Sequence, residues 1–98
     1  MEKKKILIID DEKGFTQMIK LNLEATGKYE VMEENTGSLG VATARAYRPD
    51  LILLDIIMPD TDGTVVATQL KEDKETSAIP VVFLTVVVRK KETEGSCS

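Results

Sequence analysis

The chain alternates between short aliphatic runs and longer stretches in which apolar residues recur every three to four positions. Lys5 to Asp10, "KILIID", lacks the polar alternation of a half-exposed strand. It reads as a strand of a parallel sheet with both faces covered. From Glu12 onward Phe15, Met18, Ile19 and Leu23 follow helical spacing, and Gly27 stands where a C-terminal cap belongs. Tyr29 to Met32 is short and alternating, as in an edge strand. Ser38 then stands ahead of Leu39, Val41, Ala42 and Ala46 as the cap of a second helix, which Arg48, Pro49 and Asp50 break. "LILLD", Leu51 to Asp55, repeats the first pattern, and Pro59, Asp62 and Gly63 form the following loop as turn residues. Val65, Val66, Gln69 and Leu70 predict a third helix. The charged cluster Lys71 to Glu75 reads as its solvated end, and the polar break runs on to Ser77. "IPVVFLT", Ile79 to Thr85, is a fourth buried strand with Pro80 at its entrance.

Strands alternating with helices predict a doubly wound parallel α/β sheet with right-handed crossovers. A length of 98 residues with 42% hydrophobic content suits one domain over 1–98, its last segment, 85–98, poorly defined. The tail "RKKETEGSCS" has the composition of a disordered end.

Composition narrows the chemistry. The 17 acidic residues against 13 basic give a net charge of −4, which disfavours nucleic acid or an anionic membrane as partner. Neither Ile6 to Ile9 nor Ile79 to Val88 is long enough for a signal-peptide core or a membrane span, respectively. The single cysteine, Cys97, closes no intramolecular disulfide, and a cytoplasmic location is expected. Without histidine, there is no imidazole base, ligand or phosphohistidine on this chain. Its chemistry must run on carboxylates, hydroxyls and lysines.

The acids sit where an open parallel sheet binds ligands, beyond the carboxyl ends of its strands at the point where strand order reverses. Asp10 and Asp11 close the first strand, Asp55 the third and Thr85 the fourth. In the order 2-1-3-4 these three carboxylates and one hydroxyl share a cleft. Close carboxylates call for raised pKa values or a cation, and an all-oxygen donor set favours Mg²⁺.

At this point the sequence resembles the receiver domains of bacterial two-component response regulators. The pieces that carry the likeness are "IIDDE" at Ile8 to Glu12, "LILLDIIMPDTDG" at Leu51 to Gly63 and "IPVVFLT" at Ile79 to Thr85. The resemblance implies a flavodoxin-like receiver fold and a phosphorelay function. Asp55 would take a phosphoryl group from a phosphohistidine of a sensor histidine kinase or a histidine phosphotransfer protein. Asp11 would bind Mg²⁺ directly, Asp10 would help through water, and the backbone carbonyl of Ile57 would be a further ligand. Thr85 would hydrogen-bond the phosphoryl group and carry the switch. Such a domain catalyses at most its own phosphorylation and dephosphorylation.

The family uses five β-α units, and the expectation here is a sheet that lacks the fifth strand and its helix, with the lysine that the fifth strand carries. Lys90 and Lys91 lie in another segment and receive no role. Val86, Val87 and Val88 are poor helix starters and would extend the fourth strand. An unprotected fourth-strand edge, Val81 to Val88, or exchange of the C-terminal segment predicts a homodimer. Three other readings stand beside this one. Asp11 would be a helix cap and nothing more. "DTDGTV", Asp60 to Val65, looks like the first motif of haloacid dehalogenase phosphatases, with Asp60 as nucleophile. A receiver-derived interaction module would bind its partners without being phosphorylated.

Overall fold

A computed structural model describes residues 2–84. Four strands, β1 (Lys4–Ile9), β2 (Tyr29–Glu34), β3 (Leu51–Asp55) and β4 (Val81–Leu84), form one parallel sheet in the order β2-β1-β3-β4. Three α-helices, α1 (Lys13–Ala25), α2 (Gly40–Tyr47) and α3 (Gly63–Glu72), connect them. This is the doubly wound topology expected, and the described residues hold no fifth unit.

The unbroken aliphatic run of β1 is explained by its two packed faces. Leu7 and Ile9 pack with Ile52 and Leu54 of β3 against Ala44 of α2 and Val66 and Leu70 of α3. Ile6 and Ile8 point the other way, with Val31, onto Phe15, Ile19 and Leu23 of α1. A strand buried on both sides cannot alternate in polarity. Burial of each such side chain contributes on the order of 2 kcal/mol, so this central pair of strands is the firmest part of the sheet.

Several local expectations need correction. Met18 is exposed, so the core stripe of α1 is Phe15, Ile19 and Leu23, spaced four apart. Ser38 does not cap α2. It lies inside a short 3-10 turn, Gly37–Leu39, and α2 starts at Gly40 with no side-chain cap. Gly40 sits there tightly, since a Cβ would come 3.0 Å from Ile9 Cδ1. Leu39 turns outward, whereas Gly40 and Ala44 are the buried residues of α2. Asp62 and Gly63 are more than turn formers. The Asp62 side chain caps α3 by accepting from the Thr64 amide at 2.8 Å, and Gly63 is the first helical residue.

Gly27 ends α1 as expected, with φ of 79° and its amide donating to the Glu24 carbonyl at 3.0 Å. The break after α2 comes from Arg48, which adopts φ of 54° and donates its amide to the Ala44 carbonyl. β4 is not fully buried. Val82 is 48% and Phe83 41% exposed, because the described residues place no strand beyond β4 and only three helices on the sheet. Thr85, the valines that follow it and with them half of the expected dimer edge lie outside the described residues.

Candidate functional site

The register of the sheet builds the site. Ile9 of β1 stands beside Leu54 of β3, so the residues that follow, Asp10 and Asp55, emerge side by side at the same rim. The Asp10 amide donates to the Glu34 carbonyl at 3.1 Å, which extends the β1–β2 pairing one residue past the strand. Asp10 then turns its own side chain forward. Its Oδ1 accepts from the Glu12 amide at 3.0 Å, a local turn that leaves Asp11 at the surface between them.

Asp10, Asp11 and Asp55 each present one carboxylate oxygen within 4.8 Å of the others. Asp10 and Asp55 are buried, at 3% and 6% exposure, and Asp11 is open to solvent. Burial pushes the Asp10 carboxyl up to about 6, and the charges of Asp55, Asp11 and Glu12 add to that rise. The Glu12 amide opposes it. The helix-cap reading of Asp11 is removed, since the residue ahead of α1 is Glu12 and no side chain caps it.

The loop after β3 is fixed by close backbone contact. The Gly63 amide donates to the Ile56 carbonyl at 2.6 Å, and Ile57 pairs with Asp62 in an isolated bridge. A Cβ on Gly63 would lie 2.1 Å from the Asp55 carbonyl oxygen, so only glycine lets α3 start this near the strand end. Ile57 is exposed two residues past Asp55, and its amide approaches Asp55 Oδ1 at 3.4 Å. Asp60 stands apart from the acid group. Its Oδ2 accepts from the Ser38 amide at 2.9 Å, tying the β3–α3 loop to the β2–α2 connection and holding the carboxyl below its usual range. That position suits a loop tie and not a strand-end nucleophile. Leu84 aligns with Asp55 across β3 and β4, which leaves Thr85 as the next residue in the chain.

The sequence reading missed four contributors to this rim: Asn35, Thr16, Glu33 and Gly63. Asn35 Nδ2 donates to the Asp10 carbonyl at 2.7 Å and to Thr16 Oγ1 at 3.0 Å, and Thr16 in turn donates to Glu33 Oε1 at 2.7 Å. A signal for Asn35 did exist. It follows an edge strand whose order, 2-1-3, brings its carboxyl end beside Asp10. Gly63 was visible only as part of an Asp-Gly turn, and its close approach to Asp55 needs coordinates.

A divalent cation fits the donor set by chemistry, because three hard carboxylate oxygens converge without an imidazole or thiolate. Among the described residues no helix is long and apolar enough to cross a membrane.

Comparison with known proteins gives the family. The response regulator receiver domain family matches residues 6–96. The chain is 41% identical over 83 residues to the DNA-binding dual master transcriptional regulator RpaA of Synechocystis sp., covering 85% of this chain and 34% of that protein. It is 46% identical over 83 residues to Protein PilH of Pseudomonas aeruginosa, covering 83% of this chain and 66% of PilH. The chain thus spans a third of one relative and just under two thirds of the other. Among solved structures, it is similar to the receiver domain of a Pseudomonas aeruginosa sensor histidine kinase described with a magnesium ion coordinated in the active site cleft. That likeness has a TM-score of 0.79 at 25% identity and covers 95% of this chain and 75% of the other. With the β2-β1-β3-β4 sheet and the acid rim beside it, the match settles the family: this chain belongs to the response regulator receiver domains.

Proposed function

We propose that residues 1–98 act as a single receiver domain in a phosphorelay, with Asp55 as phosphoacceptor. The convergence of the Asp10, Asp11 and Asp55 carboxylates within 4.8 Å at the ends of adjacent strands carries this reading. The donor would be a phosphohistidine on a sensor histidine kinase or a histidine phosphotransfer protein. One Asp55 carboxylate oxygen attacks phosphorus in line with the P–N bond. That bond breaks, its electron pair stays on the imidazole of the donor, and Asp55 becomes an acyl phosphate. Water attack on phosphorus later releases inorganic phosphate and restores the carboxylate.

Asp10, Asp11, Asp55 and the backbone carbonyl of Ile57 would hold Mg²⁺. Bound there, Mg²⁺ supplies positive charge that offsets the carboxylates and the phosphoryl oxygens. Burial of Asp55 and the short contact between the Gly63 amide and Ile56 fix the nucleophile and the loop around it. Such positioning is what phosphoryl transfer most requires of a protein. Thr85 would donate its hydroxyl to the phosphoryl group, coupling phosphorylation to the surface beyond β4.

The test is the intact mass of the chain after incubation with acetyl phosphate, with and without Mg²⁺. The expected result is a Mg²⁺-dependent gain of one phosphoryl group, lost in Asp55→Asn and kept in Asp60→Asn. Loss in Asp60→Asn with retention in Asp55→Asn would overturn the assignment, and no gain in a folded sample would overturn phosphoacceptance itself.

A further inference from the structure

We propose that Asn35 and Thr16 are positioning residues that set the divalent-cation affinity of the rim by holding the Asp10–Asp11 peptide. The inference rests on the reading of the three acids as a cation site.

The geometry supports a clamp with two jaws on one residue. Asp10 is held through its side chain, where Oδ1 accepts from the Glu12 amide at 3.0 Å. It is also held through its main chain, where the carbonyl accepts from Asn35 Nδ2 at 2.7 Å. The carbonyl of Asp10 belongs to the peptide plane that joins it to Asp11. Holding that plane fixes the last backbone angle of Asp10 and the first of Asp11, and with them the relation between the two carboxylates.

Asn35 cannot serve this way with its amide reversed. Its Nδ2 faces two oxygens, the Asp10 carbonyl and Thr16 Oγ1 at 3.0 Å, so both amide protons are spent on acceptors. Thr16 is fully buried and has one proton to give. Its nearest acceptor is Glu33 Oε1 at 2.7 Å, with the Lys13 carbonyl at 3.1 Å as the weaker alternative. A chain of donors therefore runs from Asn35 to Thr16 to the Glu33 carboxylate. The charge at its end polarises each bond before it and keeps the Thr16 lone pairs turned toward Asn35.

The clamp spans two elements and a loop, because Thr16 lies in α1, Glu33 in β2 and Asn35 just past β2. None of the three belongs to the acid group. Their effect on a cation would pass entirely through Asp10 and Asp11, as residues behind metal ligands do elsewhere.

The experiment is a Mn²⁺ titration of the full chain followed by electron paramagnetic resonance of the free ion, with thermal unfolding of each metal-free variant alongside. Asn35→Ala should weaken Mn²⁺ binding by about tenfold or more, and Thr16→Val by a smaller factor, about threefold. Thr16→Ser, which keeps the hydroxyl, should restore wild-type affinity. A folded Asn35→Ala chain with wild-type affinity would overturn the proposal, even if its thermal midpoint had fallen. Should Asn35→Ala not fold, Thr16→Val and Thr16→Ser decide: equal Mn²⁺ affinity in both would overturn the proposal. Failure of the cation reading is distinguishable, since wild type and Asp11→Asn would then bind Mn²⁺ equally poorly.

Discussion

Two regions of this small sheet collect acids, and they treat them in opposite ways. At the rim, Asp10, Asp11 and Asp55 face one another, and Asp10 is pushed up to about 6. Along the β2 edge each acid faces a donor. Glu30 accepts from the Tyr47 hydroxyl at 2.8 Å, and Glu34 accepts from Thr43 at 2.6 Å and from the Thr36 amide at 3.0 Å. Glu24 takes the Val31 amide and Lys20 together, and these hold its carboxyl below the usual range. Residue type does not explain the contrast. The edge acids meet hydroxyls, amides and an ammonium, whereas the rim acids are set by strand register against like charges, an arrangement compatible with a cation site and unfavourable to the fold by itself.

Gly63→Ala should break the rim most severely. Helix propensity alone predicts a gain of about 1 kcal/mol for this change at a helical position. Steric contact predicts the reverse, since the new Cβ would lie 2.1 Å from the Asp55 carbonyl oxygen and 2.7 Å from Ile56 Cα, both backbone atoms. Backbone cannot swing aside as a side chain can, so the expected cost is about 3 kcal/mol, at the upper end for overpacking. Urea unfolding decides it, and a stabilised Gly63→Ala chain would remove the close-approach account of this loop.

Asp10→Asn should have a slightly smaller effect of opposite sign. With its carboxyl raised from 3.8 to about 6, Asp10 burdens the metal-free fold fully above pH 6, and the burden fades as pH falls toward 4. Asparagine keeps an oxygen for the Glu12 amide and sheds the charge. The metal-free chain should gain up to about 3 kcal/mol at pH 7, the free-energy equivalent of that shift, and nothing at pH 3.5. Mg²⁺ should then stabilise wild type more than the variant. Equal stability of the two metal-free chains at pH 7 would mean that the rim acids do not strain the fold.

How much of this was legible in the sequence differs between the same regions. The rim was readable because its acids sit at the ends of aliphatic runs, and a parallel sheet turns strand ends into one surface. Strand order 2-1-3-4 came with the resemblance to receiver domains, because β-α alternation alone is compatible with other orders. The edge was not readable, because its pairings join residues such as Thr43 with Glu34 and Tyr47 with Glu30 across different elements. Periodicity also misplaced Met18 and Leu39, which fit a helical stripe but face solvent. Asn35 fell between these cases, near enough to the rim by topology yet without charge to draw attention.

The smallest effect is expected at the edge, and it tests whether side chains close β2. The odd-numbered residues of β2 turn their backbone groups away from β1, since the even ones meet it, as when Glu34 accepts from the Asp10 amide. At Val31 both outward groups are taken by α1: the amide donates to Glu24 Oε2 at 3.0 Å, and the carbonyl accepts from Lys20 Nζ at 2.7 Å. A lysine and an acid so placed occupy the positions that another strand would need. Glu24→Ala should speed hydrogen exchange of the Val31 amide, while Mn²⁺ affinity at the rim stays at its wild-type value. The carboxyl of Glu24 is lowered by the Val31 amide first and by Lys20 second. Its contribution is therefore present above the unfolded pKa and lost as pH falls through the lower folded one, so acid should open the edge only after most of the relief of Asp10 is complete. Unchanged Val31 protection in Glu24→Ala would show that β1 pairing alone shields this strand, and the two acid-rich regions would then differ in charge placement without differing in what their acids do for the backbone.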